Sequence, residues 1–200
     1  MKLSQIVAIL NIMAQDKILF RAFLFALAAS ALTLATVFWL NNRERTYGGD
    51  FNLNFKNTNW KFSINPKQLN LIYFGYAKCP DVCPMTLTYT GQAFRKLTSE
   101  ELKNVRFIFV SVDYEHDNPN DVADYAHNFF PEFIGLSGSQ QQIDSTINLF
   151  PATYAVEKNE NSFLGYSIMP TDRIFFLTKR GISIDSVPGT SFELKPGGKI

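Results

Sequence analysis

Apolar residues form one long run near the start of the chain and several shorter runs after it. The long run extends from Ala22 to Leu40 without a charged residue. Its roughly 19 residues approach the ~20 that a helix needs to cross a bilayer, and Trp39 at its end is typical of an interfacial anchor. We therefore predict a membrane-spanning helix over residues 18–40, between a short tail over residues 1–17 and a linker over residues 41–47.

A cleaved signal peptide and a buried core helix are the alternatives to this anchor. A signal peptide has a shorter apolar region, of about 7–15 residues. A helix that is apolar on every face is unusual in a small soluble domain. Basic residues are slightly more frequent before the run (Lys2, Lys17, Arg21) than after it (Arg43, Arg45). By the positive-inside rule, we expect a single-pass protein of the inner (cytoplasmic) membrane with its globular part on the non-cytoplasmic side.

The shorter runs predict alternating strands and helices. "FNLNF" and "WKFSI" alternate around a turn and indicate a hairpin, whereas "LNLIYFGY" and "VRFIFVSVD" are continuous and indicate strands buried on both faces. Helices are predicted from Pro84, from about Asn120 and after the loop in "GLSGSQQQIDSTINLF". Further strands are predicted in "ATYAVE", "RIFFLT" and "ISIDSV". This order indicates an α/β fold, a mixed sheet with parallel neighbours flanked by helices.

Composition and charge narrow the range of functions. The chain is 46% hydrophobic, which suits a packed core. Its 19 basic and 18 acidic residues leave a net charge of +1. Because no basic face dominates, the charge gives no support for nucleic-acid binding.

The two cysteines of the chain, Cys79 and Cys83, lie in "LIYFGYAKCPDVCP". The pattern places Pro84 at the first position of a helix, so Cys83 falls at the N-terminus of this helix and Cys79 in the loop just before it. Backbone N–H groups and the dipole at a helix start favour the thiolate, which is both the nucleophile and the metal ligand. Two soft thiolates suit Cu(I), and the same pair can close to a disulfide and exchange with partners. An inert structural disulfide is the remaining alternative.

Three stretches resemble the SCO/SenC family of cytochrome c oxidase assembly proteins: "YFGYAKCPDVCP", "FVSVDYEHDNP" and "YAHNFFPEFIGLSGS". The resemblance runs from about Gly48 to Gly181. It implies a thioredoxin-like domain over residues 48–200, a single N-terminal membrane anchor, and copper bound by both cysteines and a distant histidine. The implied partners are the membrane and either a cytochrome c oxidase subunit or another copper or thiol protein.

The chain departs from the family pattern at the third copper ligand. Counting back from Gly181, Met169 and Pro170 stand where the family has Asp and His. Without a nitrogen donor, the two thiolates suit Cu(I) better than Cu(II). Met169 and His116 are the candidate substitutes. Pro170 also resembles the cis proline that packs against the cysteine pair in thioredoxins.

Three functions are consistent with these residues. The first is a membrane-anchored copper-binding and thiol-redox protein that assists assembly of the copper centre of cytochrome c oxidase through Cys79 and Cys83. The second is a thiol–disulfide reductase, and hence an enzyme, with little stable copper binding because the third ligand is missing. The third is a non-catalytic docking module that keeps only the fold.

Overall fold

The computed structural model describes residues 20–21, 23–39, 46–160, 162 and 164–191. The chain divides into two compact units, Met1–Arg45 and Thr46–Ile200. In the first unit, residues 23–39 form a helix, α1, with exposed side chains. Within the described ranges, no helix combines the length and the apolar character needed to span a membrane. The predicted anchor includes residues 18, 19, 22 and 40, which lie outside the described residues, as do the predicted tail and most of the predicted linker.

The described part of the second unit contains nine strands and four helices. The strands are β1 (Asn52–Phe55), β2 (Thr58–Lys61), β3 (Leu69–Gly75), β4 (Val105–Ser111), β5 (Ile134–Leu136), β6 (Tyr154–Lys158), β7 (Tyr166–Pro170), β8 (Arg173–Thr178) and β9 (Ser183–Pro188). The helices are α2 (Val82–Phe94), α3 (Ser99–Asn104), α4 (Pro119–Phe129) and α5 (Gln140–Ile147). A three-residue helical turn, Gly189–Ser191, follows β9.

Five strands form the central sheet in the order β5-β4-β3-β8-β9. β3, β4 and β5 are parallel, whereas β8 runs antiparallel to β3 and β9. The predicted mixed sheet with parallel neighbours is confirmed. β1 and β2 form the predicted hairpin, and β6 and β7 form a second, separate one.

The two central parallel strands bring their carboxyl ends to one edge of the sheet. Both are mostly apolar because both faces are buried. Gly75 at the end of β3 pairs with Ser111 at the end of β4. A Cβ at Gly75 would lie 2.8 Å from the sulfur of Cys83 and 2.7 Å from the ring of Phe109. Glycine therefore allows α2 to start directly against this edge.

The start of α2 differs slightly from the prediction. The helix begins at Val82, so Pro84 lies within its first turn rather than at its first position. A proline is tolerated there because the first N–H groups of a helix have no intrahelical acceptor. Three elements, α3, β5 and β7, were not predicted.

Candidate functional site

The two cysteines lie at the carboxyl edge of β3, in different environments. Cys83 is in the first turn of α2 and is fully buried, with 0% of its surface exposed. Cys79 is half-buried in the loop between β3 and α2. Both are free thiols, and their side chains are hydrogen-bonded to each other. The predicted positions of the pair, one in the loop and one at the helix start, are thus confirmed.

The hydrogen bond between the sulfurs separates their proton affinities. The thiol of Cys83 donates to Cys79, and this bond, helped by the backbone N–H groups of Asp81 and Cys83, lowers the pKa of Cys79 to about 6 despite partial burial. The pKa of Cys83 is raised, because it donates to Cys79 and is buried. Thiolate character therefore belongs to Cys79, although the dipole argument from the sequence had favoured it for both residues. Cys79 can act as the nucleophile, with Cys83 as a protonated second thiol.

A buried carboxylate, Asp117, holds the loop that carries the nucleophile. Its Oδ2 accepts a hydrogen bond from the Ala77 N–H at 2.7 Å and one from the Ser111 hydroxyl at 2.7 Å. The Nζ of Lys78 lies 4.0 Å from Oδ1 and donates to the carbonyl of His116 at 3.0 Å. Burial raises the pKa of Asp117. This carboxylate thus ties the end of β4 to the loop that follows β3.

A second buried carboxylate, Asp113, ties the β6–β7 hairpin to the same edge. It accepts hydrogen bonds from the Tyr166 hydroxyl and from His116 Nδ1, the latter at 2.8 Å. The rings of His116 and Tyr166 stack with their centroids 4.6 Å apart. The hydroxyl of Tyr76 is also hydrogen-bonded to the backbone of Ile168 in β7. β7 is therefore fastened to the segment after β4 through Tyr166 and to the start of the cysteine loop through Tyr76.

A third carboxylate, that of Asp172, is linked to the buried sulfur of Cys83 through Tyr73. The hydroxyl of Tyr73, a fully buried residue of β3, is 3.2 Å from Asp172 Oδ1 and 3.9 Å from Cys83 Sγ. The hydroxyl of Thr190 lies 3.2 Å from Asp172 Oδ2. Burial raises the pKa of Tyr73, so its phenol stays neutral.

The two candidate third ligands lie on β7 and in the segment after β4. Met169 lies on β7 with 52% of its surface exposed, opposite Ala155 of β6. His116 is engaged with Asp113. Within the ranges that the structure describes, no three His, Cys, Asp or Glu side chains are placed to hold one metal ion. Cys79 and Cys83 thus offer two sulfur donors, and no His, Asp or Glu completes a three-ligand cluster with them in the described part of the chain.

The prediction of a cis proline at residue 170 is wrong. None of the described peptide bonds is cis, so the Met169–Pro170 bond is trans. Pro170 is the last residue of β7 and pairs with Tyr154 of β6. The next N–H, that of Thr171, continues this pairing by donating to the carbonyl of Thr153 at 2.9 Å. An extended strand fixes the backbone here, and it needs the trans bond.

Sequence reasoning did not identify the tyrosines and the third carboxylate around the pair, namely Tyr73, Tyr76, Tyr166 and Asp172. Each tyrosine stands within or beside an apolar run and looks like ordinary packing. Asp172 carried one weak signal, a lone acid directly before the buried strand β8. Asp113 and Asp117 lie in the stretch "FVSVDYEHDNP", whose resemblance to the family indicates no role for either residue.

Comparison with known proteins places these features in a family. The family model described as SCO1/SenC matches residues 41–193. An SCO2-like protein of Rickettsia felis is 30% identical over 156 residues, which cover 75% of this chain and 76% of that protein. The chain spans about half the length of the SCO2-like proteins of three other Rickettsia species.

Solved structures share the fold. The solution structure of apo Sco1 from Thermus thermophilus matches with a TM-score of 0.65 and 29% identity, covering 73% of this chain and 84% of that one. The structure of Bradyrhizobium japonicum ScoI with copper bound matches with a TM-score of 0.63 and 28% identity, covering 72% and 93%. The predicted thioredoxin-like α/β fold is thereby confirmed.

Proposed function

This chain belongs to the SCO1/SenC family, and we propose that it is a membrane-anchored copper-binding and thiol-redox protein that assists assembly of the copper centre of cytochrome c oxidase through Cys79 and Cys83. One observation carries the proposal: a half-buried Cys79 and a fully buried Cys83 lie together at the carboxyl edge of β3, where their interaction lowers the pKa of Cys79. Such a pair can hold a soft metal ion or exchange with a disulfide.

The copper ion is treated as cargo for delivery to the oxidase. Cys79 and Cys83 supply two sulfur donors, which Cu(I) accepts more readily than Cu(II) does. The copper-bound structure of the Bradyrhizobium relative supports this ligand. Because Pro170 replaces the expected histidine, the third position would be left to Met169 or to a ligand from the partner.

The same pair can reduce a partner disulfide in two steps. The Cys79 thiolate attacks one partner sulfur, forming a mixed disulfide and releasing the other partner sulfur as a thiolate. Cys83 then loses its proton and attacks Cys79, closing the Cys79–Cys83 disulfide and releasing the second partner thiolate. Two electrons pass to the partner, whose two thiolates take up protons, and the pair is left oxidised.

The sequence supports the proposed membrane anchor and location. The uncharged run from Ala22 to Leu40 supports an anchor, and the charge bias supports a globular domain on the non-cytoplasmic side of the inner membrane. That compartment permits a disulfide to persist, whereas the cytoplasm would keep the pair reduced.

A reductase with little stable copper binding is the second candidate. It is favoured by one observation: in the described part of the chain, no His, Asp or Glu joins the two cysteines in a three-ligand cluster. In this form the protein would reduce the cysteines of an oxidase subunit before the metal arrives. The docking-module alternative predicts that neither sulfur is needed.

A Cu(I) titration of the reduced full-length chain against a competing chelator separates these functions. We expect one Cu(I) per chain, and its loss in Cys79→Ser and in Cys83→Ser. Absence of Cu(I) binding in the unmodified chain, with disulfide exchange retained, would leave the reductase. Cellular oxidase activity that survives both serine variants would leave only the docking module.

The variant Pro170→His tests the vacant ligand position. If the position is near the pair, the added imidazole should create Cu(II) binding with a visible thiolate-to-copper absorption band that the unmodified chain lacks. Pro170→Ala is the matched control, because it removes the proline without adding a nitrogen donor. An unchanged Cu(II) spectrum in Pro170→His would show that residue 170 does not correspond to the family histidine.

A further inference from the structure

The Tyr73 hydroxyl has one hydrogen and two neighbouring acceptors. Asp172 Oδ1 lies at 3.2 Å and Cys83 Sγ at 3.9 Å. A phenol donates a single hydrogen bond, and a carboxylate is a stronger acceptor than sulfur. The nearer and stronger acceptor therefore takes the hydrogen, and the sulfur of Cys83 is left without it.

The carboxylate is held in place for this contact. Asp172 belongs to the two-residue connection between β7 and β8, and its other oxygen is 3.2 Å from the Thr190 hydroxyl. The N–H of Gly189 donates to the carbonyl of Asp172 at 3.3 Å. A Cβ at Gly189 would lie 2.3 Å from Asp172 Oδ1, so the turn that follows β9 closes tightly over the carboxylate. Space for any other position of this side chain is correspondingly small.

The hydrogen of Tyr73 matters because the two redox states of Cys83 accept it differently. A reduced sulfur, and above all a thiolate, is a better hydrogen-bond acceptor than a sulfur in a disulfide. A donor aimed at Cys83 would therefore stabilise the reduced pair relative to the disulfide. By withholding that donor, Asp172 favours the disulfide and makes the reduced pair a stronger reductant.

We propose that Asp172 is a positioning residue that directs the Tyr73 hydroxyl away from the sulfur of Cys83 and so sets the redox equilibrium of the Cys79–Cys83 pair. The inference rests on the proposed thiol-redox function and assigns to it a residue outside the cysteine motif. It also gives the β7–β8 connection a role in the chemistry of the pair.

The test measures the dithiol–disulfide equilibrium of the full-length chain against a glutathione redox buffer. In Asp172→Ala, Tyr73 is free to donate to Cys83, and the equilibrium should shift toward the dithiol by about threefold to tenfold, the effect of one hydrogen bond. In Asp172→Asn, the amide oxygen still accepts from Tyr73, so the equilibrium should stay within about twofold of the unmodified chain.

The double variant shows whether the effect passes through the tyrosine. We expect Tyr73→Phe alone to have little effect, and Asp172→Ala to have no further effect when Tyr73 is already Phe. Asp144→Ala is the matched control, because Asp144 accepts from the Tyr154 hydroxyl at 2.7 Å, a carboxylate–tyrosine pair that includes no cysteine contact. It should leave the equilibrium unchanged.

Two results would overturn the inference: an equilibrium in Asp172→Ala equal to that of the unmodified chain, or an equal shift whether or not Tyr73 is present. Should Asp172→Ala fail to fold, Asp172→Leu provides the same test, because leucine fills the space of the carboxylate without offering Tyr73 an acceptor and should also shift the equilibrium toward the dithiol. If the unmodified chain formed no reversible disulfide, the proposed redox function would fail together with this inference. A reversible pair that is insensitive to Asp172 would overturn the inference alone.

Discussion

The two cysteines are four positions apart in the chain, yet their surroundings differ in almost every respect. Cys83 is enclosed by the core, where glycine at residue 75 allows the helix to approach the sheet. Cys79 is in a loop whose backbone is held by Asp117 and is only half-buried. The difference shows how one residue type provides an accessible nucleophile and a protected second thiol: the first depends on polar contacts to a loop, and the second on packing.

The largest expected effect comes from removing each sulfur in turn. Cys79→Ser should abolish exchange with a small disulfide, because Cys83 is buried and its pKa is raised. Cys83→Ser should still attack and then accumulate the mixed disulfide at Cys79, because no second thiol is present to release the partner. Mass spectrometry after a disulfide challenge distinguishes the two. Mixed disulfide on Cys83 in the Cys79→Ser variant would contradict the assigned roles.

The pH dependence of alkylation is the next largest effect. Only the thiolate is alkylated, so the alkylation rate at Cys79 should rise with pH. It should reach half of its maximum at a pH of about 6, the pKa of this residue in the site. Below that pH the sulfur is protonated and the rate should fall. Iodoacetamide kinetics on the reduced chain provide the measurement.

The control for this pH profile uses the hydrogen bond from Cys83. Cys83→Ala removes the donor and should move the midpoint to higher pH, whereas Cys83→Ser keeps an O–H donor and should move it less. Equal midpoints in all three proteins would show that the neighbouring thiol does not lower the pKa of Cys79.

Loss of the carboxylate that holds the Cys79 loop should reduce stability by a moderate amount. Asp117→Ala leaves the Ala77 N–H and the Ser111 hydroxyl without their acceptor, and we expect the free energy of unfolding to fall by about 2–4 kcal/mol. Asp124→Ala, which removes an exposed ion pair with Lys56, is the control and should cost about 0–1 kcal/mol. Urea denaturation measures both, and equal losses would contradict a special role for Asp117.

The smallest effect is expected at the β6–β7 hairpin. Tyr166→Phe removes one of the hydrogen bonds to the buried Asp113 and should cost about 1–2 kcal/mol. Amides of β7 should then exchange faster with solvent while those of β3 do not. Tyr89→Phe, at an exposed position on α2, is the control. Unchanged exchange in β7 would show that Asp113 does not fasten this hairpin.

The sequence predicts those parts of the fold in which apolar residues form a continuous run or recur at a regular spacing. β3 and β4 are buried on both faces, which gives apolar runs from Leu71 to Gly75 and from Phe107 to Val110. β5 has only three residues in a glycine-rich stretch, and its Gly135 is required because a Cβ would lie 2.0 Å from the carbonyl oxygen of Val122. That requirement comes from the packing of α4 and leaves no local pattern.

A signal for α3 was present in the sequence, because Thr98 and Glu101 have the spacing of a capping box, and the structure shows both of its hydrogen bonds. β7 was missed because it ends in Pro170, which suggested a tight cis turn instead of the end of a strand. Both elements are short, with six residues in α3 and five in β7, so each gives only a brief sequence pattern.

The sequence predicts only those parts of the candidate site whose residues are close together in the chain. Cys79 and Cys83 share one motif, so their proximity follows from the chain itself. Tyr73 and Asp172 are 99 residues apart and meet only because β8 pairs with β3. Likewise, the different proton affinities of the two thiols depend on burial and on the bond between them, which spacing alone does not determine.

The reduction potential of the Cys79–Cys83 pair in the full-length chain tests the central claim most directly, because it measures whether the two sulfurs form a working redox pair. A pair that exchanges with partner thiols should have a potential above about −300 mV and should cycle reversibly in a glutathione buffer. A potential below about −300 mV, the range of structural disulfides in secreted proteins, would contradict the account.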